Sequence, residues 1–269
     1  MPSYYKMHLD ETLKAGIYGG QVPTLDFLTK VSTTKDPLFN PGDGLVLPDG
    51  REFRYALSTG AGVMKPNRGC NYTDTGYISY TAFTTAHAVG SVEITAPAAT
   101  HAAALTKDAL AGGYIVVFSG DSANDITYGI TGNGAAAINA AFTVKLDMPL
   151  ANAIVAGTEA CEVYSNPWKA IAQADTVVLP RCGAPVCTVS AAANYFWLQT
   201  KGMKFIDSQP GVGADNGGMV VQWRHDGTLQ KGETAQGATV PALDTNQLAG
   251  IVVSGSVAGN GPVLNLMGY

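Results

Sequence analysis

Apolar residues recur with a period of two in many short stretches of the chain, and glycine- and proline-rich turns separate these stretches. The cleanest alternation covers residues 142–150, where every second residue from Phe142 to Leu150 is apolar. Thr143, Lys145 and Asp147 occupy the other face. This pattern predicts a half-buried antiparallel strand.

The stretch 112–133 predicts a β-hairpin. Residues 114–118 form an unbroken apolar run after a glycine pair, which predicts a short strand buried on both faces. Residues 127–131 alternate, with Tyr128 and Ile130 on one face. The polar residues 120–125 between the two stretches predict a hairpin loop of moderate length.

Similar patterns predict strands along the rest of the chain, at residues 51–57, 77–83, 91–95, 159–164, 176–179, 186–189, 195–200, 219–223, 250–254 and 263–267. Short helical turns are expected at 10–15, at 25–30 and after Asn166, an N-cap followed by Pro167. The alanine-rich residues 96–110 predict a loop or one helical turn. The sequence therefore predicts an all-β body, an antiparallel sandwich or jelly roll of many short strands.

Residues 1–50 differ from this body, which we expect to cover 51–269. Proline and glycine are too dense there for a long element. One interpretation is a flexible terminus that stays exposed to water and binds nothing. The other is an extended arm that becomes ordered on a partner. The arm is favoured because a solvating tail would carry fewer apolar residues than this one, namely Tyr4, Tyr5, Ile17, Tyr18, Phe27, Leu28 and Phe39.

The aromatic stretch 195–200 is apolar on both faces, with Tyr195 and Trp197 on one and Phe196 and Leu198 on the other. It predicts either a central strand or an interface strand, since Trp and Tyr are enriched where proteins meet. A carbohydrate platform is a third interpretation, although few polar residues flank these rings. The candidate interface residues are therefore Tyr4, Tyr5, Tyr18, Phe27, Phe39, Tyr195 and Trp197.

Composition narrows the classes of partner. Only 14% of the 269 residues are charged and the net charge is −5, without a basic run, so we expect no nucleic-acid partner. No apolar run approaches the length that spans a bilayer, and the N-terminus has no signal-peptide core. We expect synthesis in a cytoplasm and no membrane partner.

Candidate catalytic chemistry centres on Gly120-Asp121-Ser122, which follows an apolar strand as in GDS-type serine esterases. That family needs a later G-x-N block and a D-x-x-H block to supply the base. Gln222 stands where the aspartate before His225 would be. We therefore expect Ser122 to be a loop residue and the protein not to be an enzyme.

No metal or cofactor is expected. The four histidines lack metal-ligand spacing, and no phosphate-binding motif is present. The four cysteines are expected to be reduced and mostly buried. A Cys182–Cys187 disulfide across a turn at 183–185 is the alternative.

Three segments together resemble a group of tailed-bacteriophage virion proteins, the capsid decoration or cement proteins often encoded beside the major capsid protein. The segments are GREFRY at 50–55 with the small residues 58–63, LAGGYIVVFSGDSANDITYGITGN at 110–133, and YFWLQTKG at 195–202. In that group the middle block has a glycine pair, an apolar strand, a turn and a second strand ending in Asn. The chain departs from it at Phe196, where a glycine is common, and the group offers no catalytic residues.

The resemblance implies a non-enzymatic protein on the exterior of a virion capsid, bound to the major capsid protein and stabilising contacts between its subunits. A homo-oligomer, dimer or trimer, is expected. The alternatives are another virion component, such as a head–tail or tail-fibre protein, an esterase that uses Ser122, or a carbohydrate-binding β module.

Overall fold

The computed structural model describes residues 25–59, 62–72, 76–98, 104–119, 125–173, 179–212, 220–232, 247–255 and 262–268. Residues 1–24, which include Tyr4, Tyr5, Tyr18 and the helical turn predicted at 10–15, lie outside this set. So do residues 120–124 with Ser122, and most of the strand predicted at 176–179.

The prediction of an all-β protein is confirmed: strands make up 46% and helix 3%, in two curled antiparallel sheets. The described elements are α1 (Leu25–Leu28), β1 (Gly44–Val46), β2 (Glu52–Leu57), β3 (Cys70–Tyr72), β4 (Gly76–Ala82), β5 (Glu93–Ala96), β6 (Tyr114–Phe118), β7 (Ile126–Asn133), β8 (Phe142–Leu146), β9 (Ala160–Tyr164), a 3₁₀ turn (Pro167–Lys169), β10 (Ile171–Ala172), β11 (Arg181–Pro185), β12 (Tyr195–Phe205), β13 (Val220–Trp223), β14 (Leu229–Lys231), β15 (Leu248–Ser254) and β16 (Val263–Leu266).

The chain divides into two compact units. The inserted unit contains the described residues of Asp74–Pro167, and the flanking unit contains those of Lys6–Thr73 and Trp168–Tyr269. β3 and β10 are the strands on either side of the insertion, and they pair with each other. The described part of the predicted arm, 25–50, belongs to the flanking unit, where Leu28, Phe39 and Leu45 are buried.

The inserted unit is a six-stranded sheet with the order β4-β9-β6-β7-β8-β5. One face packs on an apolar core to which every strand contributes, with members such as Ile78, Ile115, Tyr128 and Val144. The hairpin predicted at 112–133 is confirmed, because β6 and β7 pair antiparallel.

The prediction that β6 is buried on both faces is wrong. Ile115 and Val117 are buried, but Tyr114 is 45% exposed and Val116 is half-buried. The reason is that only one face of this sheet meets the core, so an apolar run does not require two buried faces. The strand predicted at 142–150 ends at Leu146, since Asp147 turns to accept the backbone N–H of Gly129 at 2.9 Å.

A glycine and a buried amide side chain fix the backbone at the base of the hairpin. A Cβ on Gly113 would collide with the carbonyl oxygen of Tyr164, which explains the glycine at this position. Asn133, the buried last residue of β7, accepts the Leu110 N–H at 2.8 Å and donates to the carbonyls of Thr106 and Gly134.

The flanking unit is a ten-stranded sheet. Its main path is β10-β3-β11-β12-β16-β15-β13-β14, and β2 pairs with both β1 and β12. β12 is a central strand, as predicted for its first half, and its two faces enter different clusters. Trp197 packs with Phe53 and Tyr55, whereas Phe196 and Leu198 pack with Ala56 and Ile171.

Three predictions in this unit need correction. Residues 186–189 do not form the predicted strand, and among them only Val189 forms an isolated bridge, with Met64. The strand predicted at 195–200 continues to Phe205, because Gly202 takes a positive φ of 87° and the pairing passes from β2 to β16. The turn predicted at 183–185 is a strand, Arg181–Pro185, in which Gly183 pairs with Cys70 of β3.

Candidate interaction site

Four of the predicted interface residues meet in one aromatic cluster of the flanking unit, which we define as Phe27, Phe39, Tyr55, Tyr195 and Trp197. α1 carries Phe27, a turn carries Phe39, and β2 and β12 carry the remaining three. Every ring pairs with at least two of the others except Tyr195, which stacks on Tyr55 at 5.7 Å with 12° between the ring planes. Offset and edge-on ring contacts of this kind contribute about 0.5–1.5 kcal/mol each beyond burial.

Trp197 lies at the centre of the aromatic cluster. Its ring contacts Phe39 edge-on at 5.0 Å and Tyr55 at 5.2 Å, and its exposed fraction is 2%. Tyr55 accepts the backbone N–H of Asp36 at 3.0 Å, and burial raises the pKa of the Tyr55 hydroxyl. These two residues act as core residues here, because the chain itself satisfies their contacts.

The cluster reaches the surface through Phe27 and Tyr195, which are half-buried. They line a depression together with a polar rim of Lys30, Ser32, Thr34 and Asp36. The depression holds about 20 Å³, which is the space of a single water molecule. It suits a small contact with a partner surface better than it suits an organic substrate.

A second surface was not predicted from the sequence. We call it the apolar sheet face, and it consists of five side chains, each at least 42% exposed, on three strands of the ten-stranded sheet: Met203, Phe205, Val220, Ile251 and Val253. Met203 lies opposite Asn265, Asn265 opposite Ile251, and Ile251 opposite Val220, so these residues form one row across four strands. Directly opposite side chains point to the same side of a sheet.

Met203 and Phe205 alternate with Lys204, which indicates a strand that continues beyond Thr200, where the predicted strand ends. The alternation by itself would place the two apolar residues inward, so the sequence does not predict that they are exposed. No charged residue stands in the described row, and the buried neighbours Leu264 and Leu266 face the core on the other side.

The described cysteines and histidines do not form a reactive centre. All four thiols are free; Cys70, Cys161 and Cys182 are buried, and Cys187 is half-buried. Burial raises the pKa of Cys70 and of Cys161 to about 12, so both stay protonated near neutral pH. His87 uses Nε2 to accept the Thr95 N–H at 3.0 Å.

Ser122 lies outside the described residues. Its neighbours at the two ends of the loop are described, and there the Asp125 carboxylate accepts the Ser119 N–H at 2.9 Å. Within the described ranges, no three side chains of His, Cys, Asp or Glu are grouped to hold a metal ion. The described residues also form no helix that is long and apolar enough to cross a membrane.

Comparisons with known proteins found no matching family, no matching curated protein and no matching solved structure.

Proposed function

We propose that this protein is a non-enzymatic decoration or cement protein of a phage capsid, which binds the outer shell and stabilises contacts between major capsid protein subunits. The observation that carries the proposal is the apolar sheet face. A monomer that exposes a contiguous apolar patch on regular structure is marked for association.

The chemistry of the apolar sheet face fits a protein partner. Aliphatic, thioether and aromatic side chains without charge are typical of interface centres. Each side chain is about half-exposed, so covering it contributes about 1 kcal/mol. Each of the three strands that carry this face is paired with a neighbour on both sides, so little ordering entropy opposes binding.

The aromatic cluster supports the proposal in a second way. It joins α1 and the turn at Phe39 to β2 and β12, so the described part of 25–50 is held on the sheet. The arm residues Tyr4, Tyr5 and Tyr18 are proposed to contact a neighbouring subunit, as are the exposed edges of Phe27 and Tyr195. A dimer or trimer on the shell would multiply these contacts.

Co-sedimentation tests the proposal. Purified protein is mixed with bare shells assembled from the major capsid protein of the same phage, and pelleted protein and shell melting temperature are measured. We expect binding at micromolar concentration and a higher melting temperature of the shell. A protein that stays in the supernatant contradicts the proposal.

A pair of variants locates the contact. Ile251→Asp places a carboxylate in the centre of the apolar sheet face and should weaken shell binding at least about tenfold, or 1.4 kcal/mol. Val155→Asp is the matched control, since Val155 is also an exposed β-branched residue, at 54% against 42% for Ile251, but lies in the inserted unit. Equal binding by the two variants would exclude this face as the contact.

The alternatives give different results in the same experiments. A head–tail or tail-fibre component would not bind bare shells but would pellet with connectors or tails. An esterase would cleave a short-chain ester, and Ser122→Ala would abolish that cleavage.

A further inference from the structure

The outward face of the six-stranded sheet carries four aromatic side chains on three adjacent strands. We call them the aromatic platform: Tyr80 on β4, Tyr164 on β9, and Tyr114 and Phe118 on β6. Tyr80 is 63% exposed and Tyr114 is 45% exposed, while Tyr164 and Phe118 are half-buried. The opposite face of the same strands packs on the core of the inserted unit.

Register and ring contacts make the platform continuous. Tyr114 lies directly opposite Tyr164 in the β6–β9 pair. The rings of Tyr80 and Phe118 are 5.2 Å apart and inclined at 48°. Opposite residues in an antiparallel pair have Cβ atoms about 4.5–5.5 Å apart, so all four rings share one surface.

Polar groups stand beside these rings. Val116 on β6 lies opposite Glu162 on one side and Thr127 on the other. The Tyr164 hydroxyl donates to the Glu162 carboxylate, and this bond raises the pKa of Tyr164. In the described strands β4, β6 and β9, Glu162 is the only charged residue.

We propose that the aromatic platform binds an uncharged polysaccharide. The C–H faces of pyranose rings pack on the electron-rich faces of Tyr and Phe, while the sugar hydroxyls meet the phenol groups and the Glu162 carboxylate. A polyol supplies a hydrogen-bond donor to each carboxylate lone pair. An apolar protein surface would desolvate the carboxylate without supplying further donors, which disfavours such a partner.

The negative charge of Glu162 favours neutral polysaccharides over anionic polymers. The carboxylate repels phosphate and sulfate groups, and no lysine or arginine on the three strands compensates for it. Nucleic acids and acidic glycans are therefore disfavoured, although their bases or rings could stack. This inference is independent of the proposed function, which rests on the other sheet.

Affinity electrophoresis of the full-length protein tests this inference. Native gels contain hydroxyethylcellulose, galactomannan or dextran as neutral polymers, or alginate as a polyanion. We expect at least one neutral polymer to retard the protein and alginate not to. Tyr114→Ala and Tyr80→Ala should each weaken the retardation about three- to tenfold, as expected for loss of one ring contact.

Ile138→Ala is the matched control, because Ile138 is a large, similarly exposed apolar residue of the same unit that lies outside the three platform strands. It should leave retardation unchanged, and unchanged melting temperatures of all variants would show that they fold. The inference is overturned if no neutral polymer retards the wild type, if alginate retards it more strongly, or if both tyrosine variants bind as the wild type does. It is also overturned if the platform mediates self-association that Tyr114→Ala abolishes. Shell binding by Ile251→Asp is measured separately, so the failure of one proposal does not affect the other.

Discussion

Ile171 lies directly opposite Tyr72 in the antiparallel pair of β10 and β3, so the chain returns to the flanking unit beside the strand from which it left. The two strands enclose the inserted unit in sequence. Adjacent ends are the geometry in which one domain can be inserted into another without disturbing its sheet.

Excision of the inserted unit should therefore leave a folded flanking unit. We expect a variant in which Gly-Asn-Gly replaces residues 74–167 to keep β-type circular dichroism and to unfold cooperatively. Trp168 is retained in this variant because its ring contacts Tyr72 edge-on at 5.2 Å. An unfolded or insoluble product would show that the flanking unit depends on the insertion.

Gly113→Ala should destabilise the hairpin. The added Cβ would meet the backbone oxygens of Tyr164 and Leu110, and backbone cannot move aside as a side chain can. We expect a loss of about 1–3 kcal/mol, or more, in the free energy of unfolding by urea. Gly62→Ala is the control, since a Cβ there meets no atom within 4 Å, and an equal loss in both variants would refute the steric explanation.

Asn133→Ala should remove three hydrogen bonds at the end of β7. The buried Leu110 N–H and the carbonyls of Thr106 and Gly134 would lose their partner. The unsatisfied buried N–H of Leu110 alone costs about 1–3 kcal/mol, so we expect a clear fall in melting temperature. Asn152→Ala, at an exposed position of the same unit, should melt as the wild type does; a variant at 133 that matched it would contradict the prediction.

Acidification should weaken the inserted unit through His87. Burial lowers the pKa of His87 in the folded state. The unfolded chain then binds more protons below about pH 6.5, so stability falls as pH drops through that value toward the folded pKa. Melting temperatures from about pH 7.5 to about pH 5 should decline less steeply in His87→Gln, and equal slopes would exclude His87 as the cause.

Thiol labelling should separate Cys187 from the other three cysteines. Burial raises the pKa of all four thiols, but only Cys187 is partly exposed, with its thiol donating to the Thr29 carbonyl at 3.1 Å. We expect an aromatic disulfide reagent to label at most one thiol per native chain near about pH 8 and all four after denaturation. Two labelled thiols in denatured, unreduced protein would instead indicate a disulfide such as Cys182–Cys187.

Local pattern predicted elements well where a strand has one apolar face. β2 and β8 follow their alternation, and Tyr128 and Ile130 are buried as expected. Local pattern failed where pairing between residues far apart in the sequence decides the conformation. Gly183 is typical of a turn, yet pairing with Cys70 places it in β11.

The candidate site shows the same difference between what local sequence predicts and what the fold decides. Phe27, Phe39, Tyr195 and Trp197 were selected one by one as apolar residues with an interface role, and the structure brings them together around Tyr55. Phe27 and Phe39 precede Tyr195 and Trp197 by more than 150 residues, so the sequence does not reveal this contact. The outward Tyr114 and Tyr80 were assigned to strands, but their exposure depends on which sheet face meets the core.

The sequence by itself determined the all-β class, most strand positions and the hairpin, because a period of two and turn residues act over a few neighbouring positions. Only the tertiary structure decided that one unit is inserted into another and that β12 pairs first with β2 and then with β16. It also decided that apolar side chains lie exposed on both sheets. These features depend on strand pairs and burial between residues far apart in sequence, and the same apolar residue is buried or exposed according to the face on which it falls.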